Sequence, residues 1–255
     1  MQIVTFEEAD SMPSKGEGYT STVHNYYGRV KSMHVGPQAF LVHMPDEGST
    51  IRPHFHDVDQ FQVVVGGGGR MGPDAIGPVA FHYADAYTPY GPIVGGRDGI
   101  EFFTIRAQCV GGFFPMPSSR GKIVGRPGRN LHGEFPTGKP LPPAGESTRE
   151  PFIADDADGV KVVGLRLGAN AAANGEPTTA GGQYYLVCSG TLVRDGREYG
   201  PRTLVNVAAG EPTPTLQAGP RGAEVLALQL PRPSERPGAR LKTAADLEGA
   251  RYTNT

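Results

Sequence analysis

Two cysteines in 255 residues are too few for a disulfide framework. Both Cys109 and Cys188 lie inside apolar runs, FTIRAQCVGG and YYLVCSG, where a buried free thiol is the expected state. No apolar stretch approaches the roughly 18 residues of a membrane-spanning helix. The N-terminal MQIVTFEEADSMPSK carries acids where a secretion signal needs bases and has no apolar core, so the cytoplasm is the expected compartment. An excess of charge of one sign is also missing: 24 Lys and Arg stand against 26 Asp and Glu, with no basic run to hold a phosphate backbone or a membrane surface. Nucleic acid and membrane are not expected partners; a small-molecule substrate is.

What the chain has in quantity is glycine (37) and proline (24), together nearly a quarter of its residues. That density of breakers disfavours a helical bundle and fits many short strands joined by turns. Apolar alternation predicts strands at QAFLVHM (38–44), DQFQVVV (59–65), GPVAFHYADAY (77–87) and GIEFFTIRA (99–107). A second series has the same rhythm: GVKVVGLRL (159–167), GQYYLVC (182–188), PRTLVNVAA (201–209) and GAEVLALQL (222–230). The two series match at one offset. Gln60 and Gln183, Gly67 and Gly190, Pro89 and Pro212, Gly99 and Gly222, and Glu101 and Glu224 are all 123 residues apart, with no gap. This is an all-β chain built by internal duplication.

The expected organisation is a first barrel over 1–110, a linker over 111–150, a second barrel over 151–235 and a tail over 236–255. The linker is dense in Pro, Gly and Arg without strand period, and its Arg120, Lys122, Arg126 and Arg129 are expected to be solvated. In the tail, Leu241, Ala245, Leu247 and Ala250 permit one short amphipathic helix, suited to packing or to a subunit contact in a homodimer.

Histidine is unevenly placed. His24, His34, His43, His54, His56 and His82 lie in the first half, His132 lies in the linker, and the second copy has none. Any imidazole chemistry therefore belongs to the first copy. The sharpest pattern is IRPHFHDVDQFQVVVGGGG, in which His54 and His56 precede Gln60 and an apolar strand. Residues two apart on a strand share a face, about 7 Å apart, so both rings can aim at one cation. Gln60 is a third candidate donor, and its recurrence as Gln183 equally fits a structural role inside the barrel.

This segment resembles the first motif of the cupin superfamily, in which His-x-His, a Glu three or four residues later and a Gly frame a metal at the centre of a barrel. Gln60 stands where the Glu is usual, and a neutral amide supplies none of its charge. The family's second motif maps onto TPYGPIVGG through Pro89 and Gly91, which puts Val94 where a histidine is usual. His82, seven residues before Pro89, substitutes only if its strand is shifted or bent. In the second copy Pro177, Thr179 and Gln183 replace His54, His56 and Gln60, and Gln217 stands opposite Val94. The resemblance spans about 38–107 and 161–230 and implies two tandem jelly-roll-like cupin barrels, the second with its metal site lost.

As the resemblance implies, one Fe, Mn, Ni or Zn ion per chain would be held by His54 and His56 with Gln60 and His82. The chemistry would be dioxygenation, isomerisation or lyase cleavage of a hydroxylated organic substrate. Alternation on FHYADAYTPYG places Tyr83, Asp85 and Tyr87 on one face and His82 on the other, so only one set lines the cavity. Gln62 and Val64 share the parity of Gln60 and should face inward, with Phe61, Val63 and Val65 on the opposite side. His43 is expected at the surface. Two metal-free alternatives stand beside the metalloenzyme: a binding or sensing barrel whose histidines only hydrogen-bond a ligand, and acid–base catalysis by His54 or His56 with Tyr83.

Overall fold

The computed structural model describes residues 1–126, 128–154, 156–178 and 180–254. In it the strands recur at the interval seen in the sequence. Gln38–Met44 and Lys161–Leu167, Gln60–Met71 and Gln183–Arg194, Ala80–Ala84 and Leu204–Val207, and Ile93–Arg106 and Thr215–Gln229 occupy matching places in two antiparallel sheets. In each sheet the long strand is flanked by the same neighbours: Ile93–Arg106 lies between Gln60–Met71 and Gln38–Met44, and Thr215–Gln229 between Gln183–Arg194 and Lys161–Leu167. Even the irregularities repeat, with register shifts at Glu101/Phe102 in the first copy and at Val187/Ser189, opposite Glu224 and Val225, in the second.

The duplicated glycines have a steric cause. Gly67 and Gly190 sit at φ 61° and 67°, a left-handed conformation that L side chains rarely adopt. A Cβ on Gly67 would lie 2.3 Å from the Gly99 carbonyl oxygen, and one on Gly190 2.0 Å from that of Gly222. The two pairs that match in sequence are thus the same close backbone approach made twice.

The units are not the successive blocks expected. One comprises Ala9–Gly133 with Pro233–Thr255, the other Met1–Glu8 with Glu134–Arg232. The cause is edge pairing. Gln2–Val4 adds to Leu204–Val207, while Thr253–Asn254 runs parallel to Gly112–Pro115. The first unit also gains outer strands at Asp10–Gly16 and Tyr19–Tyr27, hydrogen-bonded onward to Gln38–Met44. The segment expected to be a strandless linker contains strands at Gly112–Pro115, Asn130–Glu134 and Ser147–Ile153. Asn130–Glu134 and Ser147–Ile153 are sheet-edge strands with no fully buried residue, and Gly112–Pro115 has only four residues, so no apolar period marks them.

Arg129 is not solvated either. Its guanidinium and backbone amide both bind the Asp85 carboxylate, at 2.9 Å and 2.7 Å. In the tail, Ala244–Leu247 is a single helical turn capped by Thr243 and Asp246, with no fully buried residue; Leu247 is half-buried and Leu241 exposed. The tail is held instead by polar contacts: Gln108 Nε2 donates to the Gly238 and Arg240 carbonyls, and Lys242 Nζ to that of Cys109. Both cysteines are free. Among the described residues no helix is long and apolar enough to cross a membrane.

Gly67→Ala and Gly190→Ala are each expected to destabilise by about 1–3 kcal/mol or more. Gly121→Ala, where a Cβ meets nothing within 4 Å and φ is ordinary, should change little. Urea unfolding of the three variants checks this; equal effects at all three positions would count against the steric reading.

Candidate functional site

The short strand His54–Phe55 pairs with Gly112–Pro115, and His54 also exchanges backbone hydrogen bonds with Tyr90 at 3.1 and 3.0 Å. These contacts fix both imidazoles inside the first barrel. His54 and His56 are 3% and 8% exposed, with ring centroids 5.1 Å apart. His54 Nδ1 lies 2.8 Å from the Arg52 carbonyl oxygen and His56 Nδ1 2.8 Å from that of Gly112. Carbonyls only accept, so each Nδ1 carries the proton and each Nε2 keeps its lone pair.

A polar chain leads away from His54. The Tyr90 hydroxyl donates to His54 Nε2 at 2.7 Å and accepts from Gln60 Nε2 at 2.5 Å. The Gln60 carbonyl oxygen accepts from Arg106 Nε at 3.0 Å, and Arg106 Nη1 donates to Gln38 Oε1 at 2.7 Å. Gln38, Gln60 and Arg106 are all buried. Burial holds the His54 pKa down at about 4, with the Arg106 charge adding to the effect, and pushes His56 well below its ordinary value by the same two causes. Burial likewise raises Tyr90 to about 12. The imidazoles and the phenol are therefore neutral, and the cation among them is Arg106.

His82 points inward, on the face it shares with Ala80 and Ala84, and its ring centroid is 5.0 Å from that of Tyr90. It is not available as a ligand. Its Nδ1 lies 2.7 Å from Gln62 Oε1 and its Nε2 3.1 Å from Asn130 Oδ1, so both nitrogens are engaged by amides. Tyr83, expected as a catalytic group, faces the other way. It packs on Phe61 at 4.9 Å between centroids and donates to Asp85 at 2.8 Å, in a network with Asp59, Arg129 and Arg236. The strand parity of Gln60, Gln62 and Phe61 is as expected; the tyrosine brought to the histidines is Tyr90. His43 is half-buried, 3.9 Å from Glu101. His24 and His34 are half-buried and His132 is exposed.

His54, His56, Tyr90 and Arg106 border a cavity of about 90 Å³. Its apolar lining includes Val23, Phe40, Val42, Ile51, Ile93 and Phe102; its polar lining includes His54, His56, Gln62, Tyr90 and Arg106, with Ser21, Lys31 and Thr104. Tyr252, from the returning tail, also lines it. Tyr90, Arg106 and Tyr252 were not singled out from the sequence.

The donor set does not fit the metal centre that the family resemblance implies. The tautomers of His54 and His56 suit a ligand pair, but Tyr90 occupies His54 Nε2, and Gln60 turns its only oxygen to Arg106. The guanidinium that disfavours protons on both imidazoles opposes a divalent cation in the same way. Among the described residues no three His, Cys, Asp or Glu side chains converge.

In the second copy the residues at the matching positions pack together. Thr179, the counterpart of His56, lies outside the described residues. Gln183 donates to the Pro177 carbonyl at 2.8 Å and to Gln229 Oε1 at 2.7 Å, and the interior is filled by an apolar cluster that includes Leu165, Leu167, Val187 and Val225.

The fold is the bicupin fold, two cupin-type barrels in one chain. Solved structures of similar fold include a candidate dioxygenase from Nostoc punctiforme (11% identity, 95% of this chain and 86% of that one, TM-score 0.59). Others are an oxalate decarboxylase from Lactobacillus farciminis in complex with formate (11%, 90% and 86%, 0.59) and a bacterial pirin from Escherichia coli in complex with nickel(II) (12%, 91% and 99%, 0.55). At these identities the likeness concerns the fold. No family model matches the sequence, and no curated protein matches it.

His54 and His82, both held at about 4 against an ordinary 6.5, give a pH dependence with a defined sign. Below pH 6.5 the unfolded chain takes up protons that these buried rings refuse, so stability is full above 6.5 and falls as the pH drops towards 4. Urea midpoints are expected to decline between pH 7 and about 5, before most carboxylates titrate, and His82→Gln should reduce the slope by up to about one proton. A flat profile over that range would remove the claim that the rings are buried neutral.

Proposed function

We propose that the first barrel binds one small organic molecule in its interior without a resident metal ion. The observation that carries this reading is the cavity of about 90 Å³, lined by apolar side chains such as Phe40, Ile93 and Phe102 together with His54, His56, Tyr90 and Arg106. That is the composition of a ligand pocket. An apolar cavity of about 150 Å³ takes benzene, so this one suits a smaller molecule.

The fold is shared with an oxalate decarboxylase and a nickel-bound pirin, so the competing reading is a metal-dependent oxidoreductase or lyase. It draws on the tautomers of His54 and His56, yet needs positions that Tyr90 and Gln60 use among themselves. Metal-free acid–base catalysis has one observation in its favour, the 2.7 Å contact between Tyr90 and His54, which places a phenol and an imidazole in proton-transfer range. In that reading the tyrosine is Tyr90, not Tyr83.

Chain dialysed in turn against Fe, Mn, Ni and Zn is expected to retain less than about 0.1 ion per molecule. In the presence of EDTA, 2-butanone or propionate should shift NMR resonances of Tyr90 and Phe102, and Val42→Phe, which fills the cavity, should erase those shifts while leaving second-barrel resonances in place. Stoichiometric metal together with loss of probe binding in EDTA would overturn the proposal.

A further inference from the structure

Resting on that reading, we infer that the ligand is a short aliphatic carboxylate and that Arg106 receives its charged end. The guanidinium lies in the cavity wall, with its carbon 5.4 Å from the centroid of Phe40, another wall residue. Gln38 and Gln60 fix its plane through two hydrogen bonds of 2.7 and 3.0 Å. A planar, pre-oriented donor fork matches a carboxylate.

The duplication supplies a control. The residue 123 positions after Arg106 is Gln229, which meets Gln183 at 2.7 Å just as Arg106 meets Gln60. A neutral amide pair therefore suffices to join these strands in a cupin-type barrel. The positive charge occurs in the copy whose histidines and Arg106 line a cavity, and joining the strands does not explain it.

The surrounding charge agrees. Asp57 influences Arg106 electrostatically, but its carboxylate accepts from the Gly111 amide at 2.8 Å and lies 3.7 Å from Lys242. Next to the cavity is a hollow of about 160 Å³ that shares Tyr19, Lys31, Phe113 and Tyr252 with it. Lys15, Lys31 and Arg52 border that hollow, and Glu17 pairs with Arg52 at 3.0 Å, which leaves a net positive approach. The apolar walls require an alkyl body. The volume limits the whole molecule to about four or five non-hydrogen atoms, and the apolar wall residues disfavour a fully hydrated phosphate.

The test is a calorimetric and NMR titration of the full chain in EDTA with propionate, its neutral isostere propionamide, and inorganic phosphate. Propionate is expected to bind at least about tenfold more tightly than propionamide. In Arg106→Gln, which copies the Gln229–Gln183 pair, the preference should fall to within about twofold while propionamide still binds. Equal affinities for propionate and propionamide would overturn the carboxylate inference and leave the cavity reading standing. Phosphate binding as tight as propionate would also overturn it. If no probe shifts the cavity resonances, both readings fall. Should Arg106→Gln fail to fold, the wild-type comparison of the two isosteres decides.

Discussion

A buried guanidinium is costly unless its donors are answered, and the first barrel is arranged around that requirement. Arg106 is the last residue of its strand; Gln38 and Gln60 are the first residues of the two strands beside it. The register that sets Arg106 opposite Gln38 brings an amide oxygen to the cation, and Gln60 supplies a second from the other side. Gln60 then holds the Tyr90 hydroxyl, and Tyr90 holds His54. Three strand ends and one turn are thereby tied into one polar network beside the cavity. Burial, with the Arg106 charge adding to it, keeps the imidazoles neutral, and the network occupies positions a metal would use.

The duplication was legible because its cause is local. Glycine is needed wherever the backbones of two strands approach too closely for a Cβ, and that need recurs at a fixed interval. The histidine pair was legible for a similar reason, since alternation on a strand gives both rings one direction. The outer strands Asp10–Gly16 and Tyr19–Tyr27 were not, because polar residues dominate them and their pairing is decided by partners elsewhere in the chain.

The rest of the site was hidden by distance in sequence. Tyr90 follows Gln60 by 30 residues, Arg106 follows it by 46, and Tyr252 arrives only because the tail returns to Gly112–Pro115. Nothing local marks an arginine at the end of an apolar strand as buried. One signal was nevertheless available. At the offset that pairs Gln60 with Gln183, Arg106 falls on Gln229, and a polar residue closing both apolar strands indicates an inward polar position. The weak periodicity of FHYADAYTPYG showed that one face is chosen but not which, and the choice went to His82 because Tyr83 could satisfy its hydroxyl with Asp85 on the other side.

The two copies handle charge at this end of the barrel in opposite ways. In the second, Lys161 stands at the place of Gln38 and Glu176 at that of Pro53, and the two lie 3.4 Å apart, with Arg149 on the same carboxylate. That copy brings its own carboxylate to its own cations, and its interior is packed with aliphatic side chains. The first copy offers its cation amide oxygens and keeps open volume beside it. Since strand order, bulges and glycines are common to both, the scaffold does not account for the difference. It lies in a few side chains at strand ends, where one barrel has closed its charge internally and the other holds a cation facing a cavity.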